Sequence, residues 1–265
     1  MVIGQIVDQR ATLLAAQEEI SGNIKRAAFD GRDTVHLVGR GIFAVGIDGN
    51  AKPPAGLPAE FSAEGVVRGA DGDIYFYGES GIAKLERTSS TAKILSDFRH
   101  AANRMYAVSE DLVAAFDEGD RTLWTYDGSA WNPELSIAGL EAVYGIGGDE
   151  DVLVVYGKAQ LAYVRKDRTW TRLPEAFASG HFRDLVGIGQ GRFIVVASSS
   201  YQTTPSIGRA AIWSGSKWCE LDVPMSAGLE GVDVSPDGRT AYLVGNNNIP
   251  PANLAAIWHL DLSGL

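Results

Sequence analysis

The feature that most constrains this chain is an internal repeat with a period of about 40 residues. Short apolar runs recur, and each follows a turn rich in Gly or Asp. The runs are DTVHLVG (33–39), DIYFYG (73–78), DLVAAFD (111–117), DVLVVYG (151–157), RFIVVA (192–197) and TAYLVG (240–245). Their last residues lie 39, 39, 40, 40 and 48 positions apart. Spacing this regular indicates six copies of one supersecondary unit.

Each copy contains four strand-like segments. A short apolar segment precedes each run, as EGVV (64–67) precedes the second, and a turn such as ADGD (70–73) separates the two. Asp-Gly between apolar segments is a strong hairpin signal. A third apolar segment and a more polar fourth one follow, as in LAYVR (161–165) and TWTRL (169–173). Four strands in about 40 residues match a propeller blade, so the sequence predicts an all-β fold, a single six-bladed β-propeller of four-stranded antiparallel blades.

The two ends of the chain suggest how the ring closes. The last unit stops at AAIWHLDLSGL, its third strand, whereas a leader precedes the first unit near Lys25. We predict that residues 2–14 form the outer strand of the last blade, which removes open sheet edges. Glu18–Arg26 would then be a connecting loop, with LLAAQEEI as a candidate helical turn. A solenoid or β-sandwich is the rival, but a solenoid does not explain a lone fourth-strand segment at the start. The predicted single domain, 1–265, has blades near 25–60, 61–98, 99–137, 138–178, 179–225 and 226–265.

Composition limits the partners. The formal net charge is −10, which disfavours nucleic acid and anionic membranes and permits a basic protein partner, although the same charge also serves solubility. Cys219 is the one cysteine, so no intrachain disulfide can form. The start of the chain does not read as a secretory signal, and no stretch approaches 18 uninterrupted apolar residues. These features predict a cytoplasmic protein that binds neither membrane nor nucleic acid.

Several segments resemble known propeller repeats. LEAVYGIGGDEDVLVVYG followed by LAYVRKDRTWTRL resembles bacterial propeller repeats, and TYDGSAWNPEL and IWSGSKWCEL resemble degenerate Asp-box or kelch-like turns. VDVSPDGRTAYLVG is similar to strand pairs of WD40-like propellers. The Asp-box pattern is incomplete, and the Gly-His and Trp-Asp marks of WD40 repeats are absent. The resemblance therefore implies a generic bacterial six-bladed β-propeller and no specific family. Such propellers mostly act as interaction platforms and some are hydrolases, so it implies no substrate.

Two long loops predict the binding surface. Loops that join the second strand to the third, and the fourth to the next first strand, lie on one face of a propeller, here called the top face. Most are minimal, but 198–209 and 246–253 are long and belong to adjacent blades. Binding sites concentrate where loops meet on a rigid scaffold, although loop length can also drift without function. The predicted contacts are Tyr201, Gln202, Arg209, Asn246, Asn247, Asn248 and Ile249, with His181 and Arg183 placed to contact an anionic group or to serve in ordinary loop hydrogen bonding.

Charged residues begin the first strands of the blades, at the expected mouth of the central channel. Their signs nearly alternate around the ring, so neighbours can neutralise one another, and an isolated buried charge would be costly. This pattern favours a structural ring over a metal or phosphate site. The residues are Arg26, Glu64, Arg104, Glu141, Arg183 with Asp184, and Glu230.

No motif predicts catalysis. The four histidines lack zinc-site spacing, no Gly-x-Ser-x-Gly elbow occurs, and GIGGDED and GIGQGR are hairpin turns that precede no helix. We therefore predict no catalytic residue, no metal ligand and no cofactor.

The leading hypothesis is a non-catalytic protein-binding module, one form of which neutralises a basic toxin or effector as an immunity-like protein. The alternative is a small-molecule hydrolase or lactonase with a divalent metal in the channel, held by Glu64, Glu141, Glu230 and Asn246. Carbohydrate binding is a third reading.

Overall fold

The computed structural model describes most of the chain and divides it into two compact units. The units are Met1–Ile137 and Ala138–Leu265. The described residues are 2–7, 10–16, 25–39, 41–46, 51–95, 97–109, 111–136, 142–149, 151–199, 207–223, 227–235, 237–247 and 254–263. The prediction of one domain over the whole chain stays a prediction.

The first unit contains a two-stranded sheet and three four-stranded antiparallel sheets. The two-stranded sheet is β1 (Val2–Val7) and β2 (Arg10–Ala16). Sheet 1 is β3 (Arg26–Phe29), β4 (Thr34–Val38), β5 (Ile42–Gly46) and β6 (Ala51–Lys52). Sheet 2 is β7 (Gly65–Arg68), β8 (Ile74–Gly78), β9 (Gly81–Leu85) and β10 (Lys93–Ile94). Sheet 3 is β11 (Arg104–Ser109), β12 (Leu112–Asp117), β13 (Thr122–Tyr126) and β14 (Trp131–Ser136).

The second unit contains three more antiparallel sheets, of four, four and three strands. Sheet 4 is β15 (Val143–Gly148), β16 (Leu153–Gly157), β17 (Ala162–Lys166) and β18 (Thr169–Arg172), with a 3-10 turn at Lys158–Gln160. Sheet 5 is β19 (His181–Gly187), β20 (Phe193–Ser198), β21 (Gly208–Trp213) and β22 (Trp218–Leu221). Sheet 6 is β23 (Ala227–Val234), β24 (Thr240–Asn247) and β25 (Leu254–Asp261). The sheets confirm the predicted count of six and the all-β class.

The start of the chain differs from the prediction. Residues 2–14 were expected to form one outer strand of the last blade. The described residues instead place two strands there, which pair antiparallel with each other from Val2↔Ala16 to Val7↔Arg10. Sheet 6 has three strands among the described residues. The physical reason is local: VIGQIV and RATLLAA are both strand-like, and pairing adjacent segments closes a far shorter loop than pairing opposite ends of the chain. The expected loop over Glu18–Arg26 lies almost wholly outside the described residues, and Arg26 begins β3.

Three of the apolar runs of the repeat form strands that are buried along their whole length. All residues of β8, β16 and β20 are buried, so these second strands carry apolar side chains on both faces. A continuous apolar run of this length fits a strand covered on both sides. In the second unit, Phe182, Phe193 and Val195 lie fully buried in one cluster, and Leu229 and Leu243 lie in another. These strands give the loops at their ends a rigid support.

Aspartates close the turns between first and second strands. Asp30 Oδ1 accepts hydrogen bonds from the backbone N–H groups of Arg32 and Thr34, at 2.8 and 3.1 Å. Asp71, Asp149 and Asp237 accept equivalent bonds in sheets 2, 4 and 6. An aspartate that bonds its own backbone two residues on mimics a turn. The predicted Asp-rich hairpin turns are therefore present, and they use the carboxylates directly.

Candidate functional site

The structure places only part of the predicted loop site. Tyr201, Gln202, Asn248 and Ile249 lie outside the described residues. Asn246 and Asn247 lie at the end of β24, where they pair with Ala255 and Leu254. Arg209 lies in β21, and His181 and Arg183 lie in β19. The predicted contacts on these two loops stay a prediction, while the residues at the base of loop 198–209 can be described.

Arg209 is fixed at the base of that loop. Its Nη1 lies 2.9 Å from Glu220 Oε1 on the neighbouring strand, and its guanidinium carbon lies 5.9 Å from the centre of the Phe177 ring. The Arg209 side chain is 28% exposed. It therefore presents a positive group whose position is set by a carboxylate and a ring.

His181 is held as a neutral acceptor. Its Nδ1 accepts a hydrogen bond of 2.9 Å from the backbone N–H of Ala159. Burial lowers the pKa of His181, and the positive charges of Arg183 and Lys158 lower it further. Because Nδ1 accepts, the proton of the neutral imidazole is on Nε2, so His181 keeps one N–H donor for an anion beside Arg183.

Arg183 is held by groups from three sheets of the second unit. Its Nε donates to Ser198 Oγ at 2.8 Å, and it lies 3.8 Å from Glu230 Oε2. Its guanidinium also stacks over the ring of Tyr144, at 5.8 Å from the centroid. The Arg183–Glu230 pair fits the predicted neutralisation between neighbouring first strands.

Asp184, beside Arg183, ties three sheets together. Its Oδ1 accepts hydrogen bonds from the Tyr156 hydroxyl at 3.0 Å and from the backbone N–H of Leu185 at 2.9 Å. Its Oδ2 accepts from the backbone N–H of Val232 at 3.0 Å. Both oxygens of this carboxylate are therefore used in structure.

Gly145 makes room for Tyr156 in this arrangement. The two residues face each other across β15 and β16, and a Cβ at position 145 would meet the tyrosine ring and hydroxyl. Gly65 and Tyr77 repeat the arrangement in sheet 2. Burial raises the pKa of Tyr77, although Arg26 and Arg104 act to lower it.

The expected charge ring is only partly visible in the first unit. Arg104 Nη2 lies 3.7 Å from Glu118 Oε1 at the end of β12, a partner that the strand-start pattern did not predict. Arg104 Nη1 also donates to the Asn103 carbonyl at 2.6 Å. Glu141 lies outside the described residues.

One polar cluster was missed by sequence reasoning. His100 Nδ1 lies 3.6 Å from Asp117 Oδ2 and 3.5 Å from Asp120 Oδ2. The imidazole stacks on the Trp124 ring at 4.0 Å between centroids. The available signal was Asp-x-x-Asp in a turn on the same face as a connector histidine, which the spacing between histidines does not reveal.

An open cleft lies between sheets 2 and 3. It has a volume of about 390 Å³, and its lining includes Tyr75, Lys84, Asp97, Asp111 and Trp131. Burial raises the pKa of Tyr75 to about 12. Burial acts to lower the pKa of Lys84, but its hydrogen bond and 2.7 Å ion pair with Asp73 outweigh this and raise it. Lys84 is thus held as a structural cation.

Comparisons with known proteins show the architecture. No family model matches the chain, and no curated protein matches it. Among solved structures, the WD40 β-propeller domain of Doa1 is 14% identical, covering 98% of this chain and 86% of that chain with a TM-score of 0.68. YCF48 bound to D1 peptide is 12% identical, covering 97% and 84% with a TM-score of 0.67.

Virginiamycin B lyase from Staphylococcus aureus is 9% identical, covering 90% of this chain and 84% of that chain with a TM-score of 0.65. The chain is a six-bladed β-propeller. At these identities the likeness shows the fold alone. Sheets 1 to 6 are blades 1 to 6, and this confirms the resemblance drawn from the repeats. Among the described residues, no helix is long and apolar enough to span a membrane.

Proposed function

We propose that this propeller is a non-catalytic protein-binding module of the cytoplasm that uses the top-face loops of blades 5 and 6. The observation that carries the proposal is the support beneath loop 198–209. All six residues of β20 are buried, and most of β21 is buried too. At the loop's base, Arg209 and Arg183 are fixed by Glu220, Ser198 and Glu230. Loops on a rigid scaffold with positioned polar groups are the usual form of a recognition surface.

Two of the similar structures support a binding role. One is the WD40 propeller domain of Doa1, and another is YCF48 bound to D1 peptide. A propeller of this size offers loops on one face without requiring catalytic chemistry. This supports protein binding for the present chain as a function class.

The partner we propose is a basic protein, such as a toxin or effector that the propeller neutralises. The support is the net charge of −10, because opposite net charge accelerates encounter between two proteins. The prediction that follows is a strong dependence of the association rate on salt.

Loop replacement tests the proposal. We would replace residues 200–206 with Gly-Ser and compare capture of partners from a native lysate with capture by the wild-type protein. The matched control uses Gly-Ser to replace the exposed blade 4 turn Asp167–Arg168, which joins β17 to β18 at the other end of the strands. We expect capture to be lost in the loop variant and retained in the control. Equal capture by all three proteins contradicts the proposal.

The alternative function is a metal-dependent hydrolase with a divalent ion in the central channel. Its ligands would include Glu64 and Glu230, but Glu230 lies 3.8 Å from Arg183, whose positive charge opposes binding of a cation there. Metal analysis of the wild-type protein and of the Glu64→Gln and Glu230→Gln variants distinguishes the hydrolase from the binding module. Loss of a stoichiometric, dialysis-resistant ion in these two variants would overturn the binding-module proposal.

A further inference from the structure

A cluster on blade 3 has the composition of a divalent metal site. His100 lies in the connector between β10 and β11, Asp117 ends β12, and Asp120 lies in the turn before β13. One ligand atom from each residue falls within 4.8 Å of the other two. The connector and the turn bring these side chains together on the top end of a single blade.

The distances fit a metal ion between the three side chains. Zinc binds imidazole nitrogen and carboxylate oxygen at about 2.0–2.2 Å, so two ligands at a tetrahedral angle lie about 3.3–3.6 Å apart. His100 Nδ1 lies 3.6 and 3.5 Å from the Oδ2 atoms of Asp117 and Asp120. A good nitrogen–oxygen hydrogen bond is shorter, near 2.9 Å. The spacing therefore suits atoms that share an ion better than atoms that bond each other.

The Asp117 carboxylate provides an independent indication. Its side chain is 10% exposed, so it is nine-tenths buried. Its Oδ1 accepts from the backbone N–H of Gly119 at 2.8 Å. Its Oδ2 faces the His100 ring nitrogen at 3.6 Å, which is longer than a good hydrogen bond. A cation between these two atoms would be bound by a carboxylate already shielded from solvent, where charge–charge attraction is stronger than in water.

Groups around the cluster orient the ligands. Asp120 Oδ1 accepts from the Thr122 N–H at 2.9 Å, so each aspartate uses one oxygen for the backbone and turns the other toward His100. The imidazole is stacked on Trp124 at 4.0 Å and tilted against Phe98 at 5.7 Å. Outer contacts of this kind hold metal ligands in position.

We propose that His100, Asp117 and Asp120 bind one zinc ion, which leaves a coordination position open to solvent or to a ligand. Imidazole nitrogen favours zinc over magnesium or calcium, which prefer oxygen alone. Two carboxylates and a neutral imidazole balance the charge of a divalent ion. Three protein ligands with an open fourth position are typical of a zinc ion that contacts a further molecule. The proposal is independent of the loop site on blades 5 and 6.

Zinc titration tests the site. The full chain carries Cys219→Ser, because the exposed free thiol could itself bind zinc. The protein is treated with a chelator, dialysed and titrated with zinc in a calorimeter. We expect one ion per chain and an affinity at least about tenfold lower in His100→Gln and in Asp120→Asn. Asp120 is 40% exposed, so its variant should keep the fold, which circular dichroism checks.

His259→Gln is the matched control, because His259 is an exposed histidine of blade 6 outside the cluster. It should bind zinc as the parent does, and X-ray absorption of the zinc-loaded parent should show one nitrogen and otherwise oxygen neighbours. Absence of saturable one-to-one uptake would overturn the proposal, as would equal affinity in all variants. A stability loss in His100→Gln without zinc uptake by the parent would also overturn it, because it would mean that the cluster is only an ion pair.

Discussion

Asp117 in blade 3 and Asp184 in blade 5 are both aspartates near the top ends of strands, but their surroundings differ. Asp184 accepts hydrogen bonds on both oxygens, from Tyr156, Leu185 and Val232. Asp117 accepts one on Oδ1 and directs Oδ2 toward His100. We infer from this comparison that a carboxylate serves structure when its neighbours satisfy both oxygens, whereas Oδ2 of the buried Asp117 is the oxygen that our proposal assigns to the ion.

The largest expected effect is the loss of stability on replacing Asp184, compared with the same replacement at Asp117. Asp184→Ala removes the carboxylate that accepts from the Tyr156 hydroxyl and the Val232 N–H, and hydrogen bonds to charged groups contribute about 1.5–3 kcal/mol each. We expect a loss of about 3–5 kcal/mol in the free energy of unfolding, measured with urea in the presence of a chelator. Asp117→Ala should lose about 1 kcal/mol, because it removes one bond and one of two adjacent negative charges. Equal losses would break the comparison, and exposed Asp222→Ala serves as the control.

Gly145→Ala tests whether Tyr156 must reach Asp184. The added methyl group would collide with the tyrosine ring, and overpacking costs about 1–3 kcal/mol. Gly65→Ala should cost a similar amount, because Tyr77 occupies the equivalent place in blade 2. Urea unfolding measures both. A smaller loss for Gly145→Ala in a Tyr156→Ala background would locate the cost in the tyrosine. An unchanged free energy in both single variants would show that the glycines are not required.

A smaller effect concerns His181, which we expect to titrate below its ordinary pKa of 6.5 in an NMR titration. Burial is the main cause, and the charges of Arg183 and Lys158 add to it. Arg183→Gln should raise this pKa, whereas Arg209→Gln should not. Because the fold favours the neutral form, its contribution to stability is complete above pH 6.5. It declines as the pH falls from there toward the lowered pKa. A pKa unaffected by Arg183→Gln would contradict this assignment.

The smallest effect is at Asp127 in the turn between β13 and β14. The Ser129 hydroxyl, together with the N–H groups of Ala130 and Ser129, lowers the pKa of this carboxyl to about 2. Ser129→Ala should raise it, which NMR can follow. The contribution of Asp127 to stability is complete above about pH 3.8, the ordinary value, and is lost as the pH falls through about 2. If the pKa of Asp127 were not lowered, accepted hydrogen bonds would not identify a structural carboxylate. The distinction between Asp117 and Asp184 would then be weakened.

The sequence predicted the fold well because its period is a local signal. Each apolar run became the second strand of its sheet, fully buried in β16 and β20 but alternately buried and exposed in β24. The start of the chain was mispredicted because two strand-like segments, 2–7 and 10–16, were treated as one. The His100 cluster could not be seen from histidine spacing, because its members come from a connector and a turn on either side of two strands. The loop residues such as Tyr201 and Asn248 stay predictions.

The aspartates in the hairpin turns change how the acidity of this protein is interpreted. Asp30, Asp71, Asp149 and Asp237 accept backbone N–H groups at the same corner of four blades. Part of the negative charge therefore belongs to carboxylates that close the hairpin turns of the repeat. These carboxylates have a structural role that does not depend on a binding partner. Charge-neutralising surface redesign should spare these corners, because replacing them would loosen the hairpins before it revealed anything about recognition.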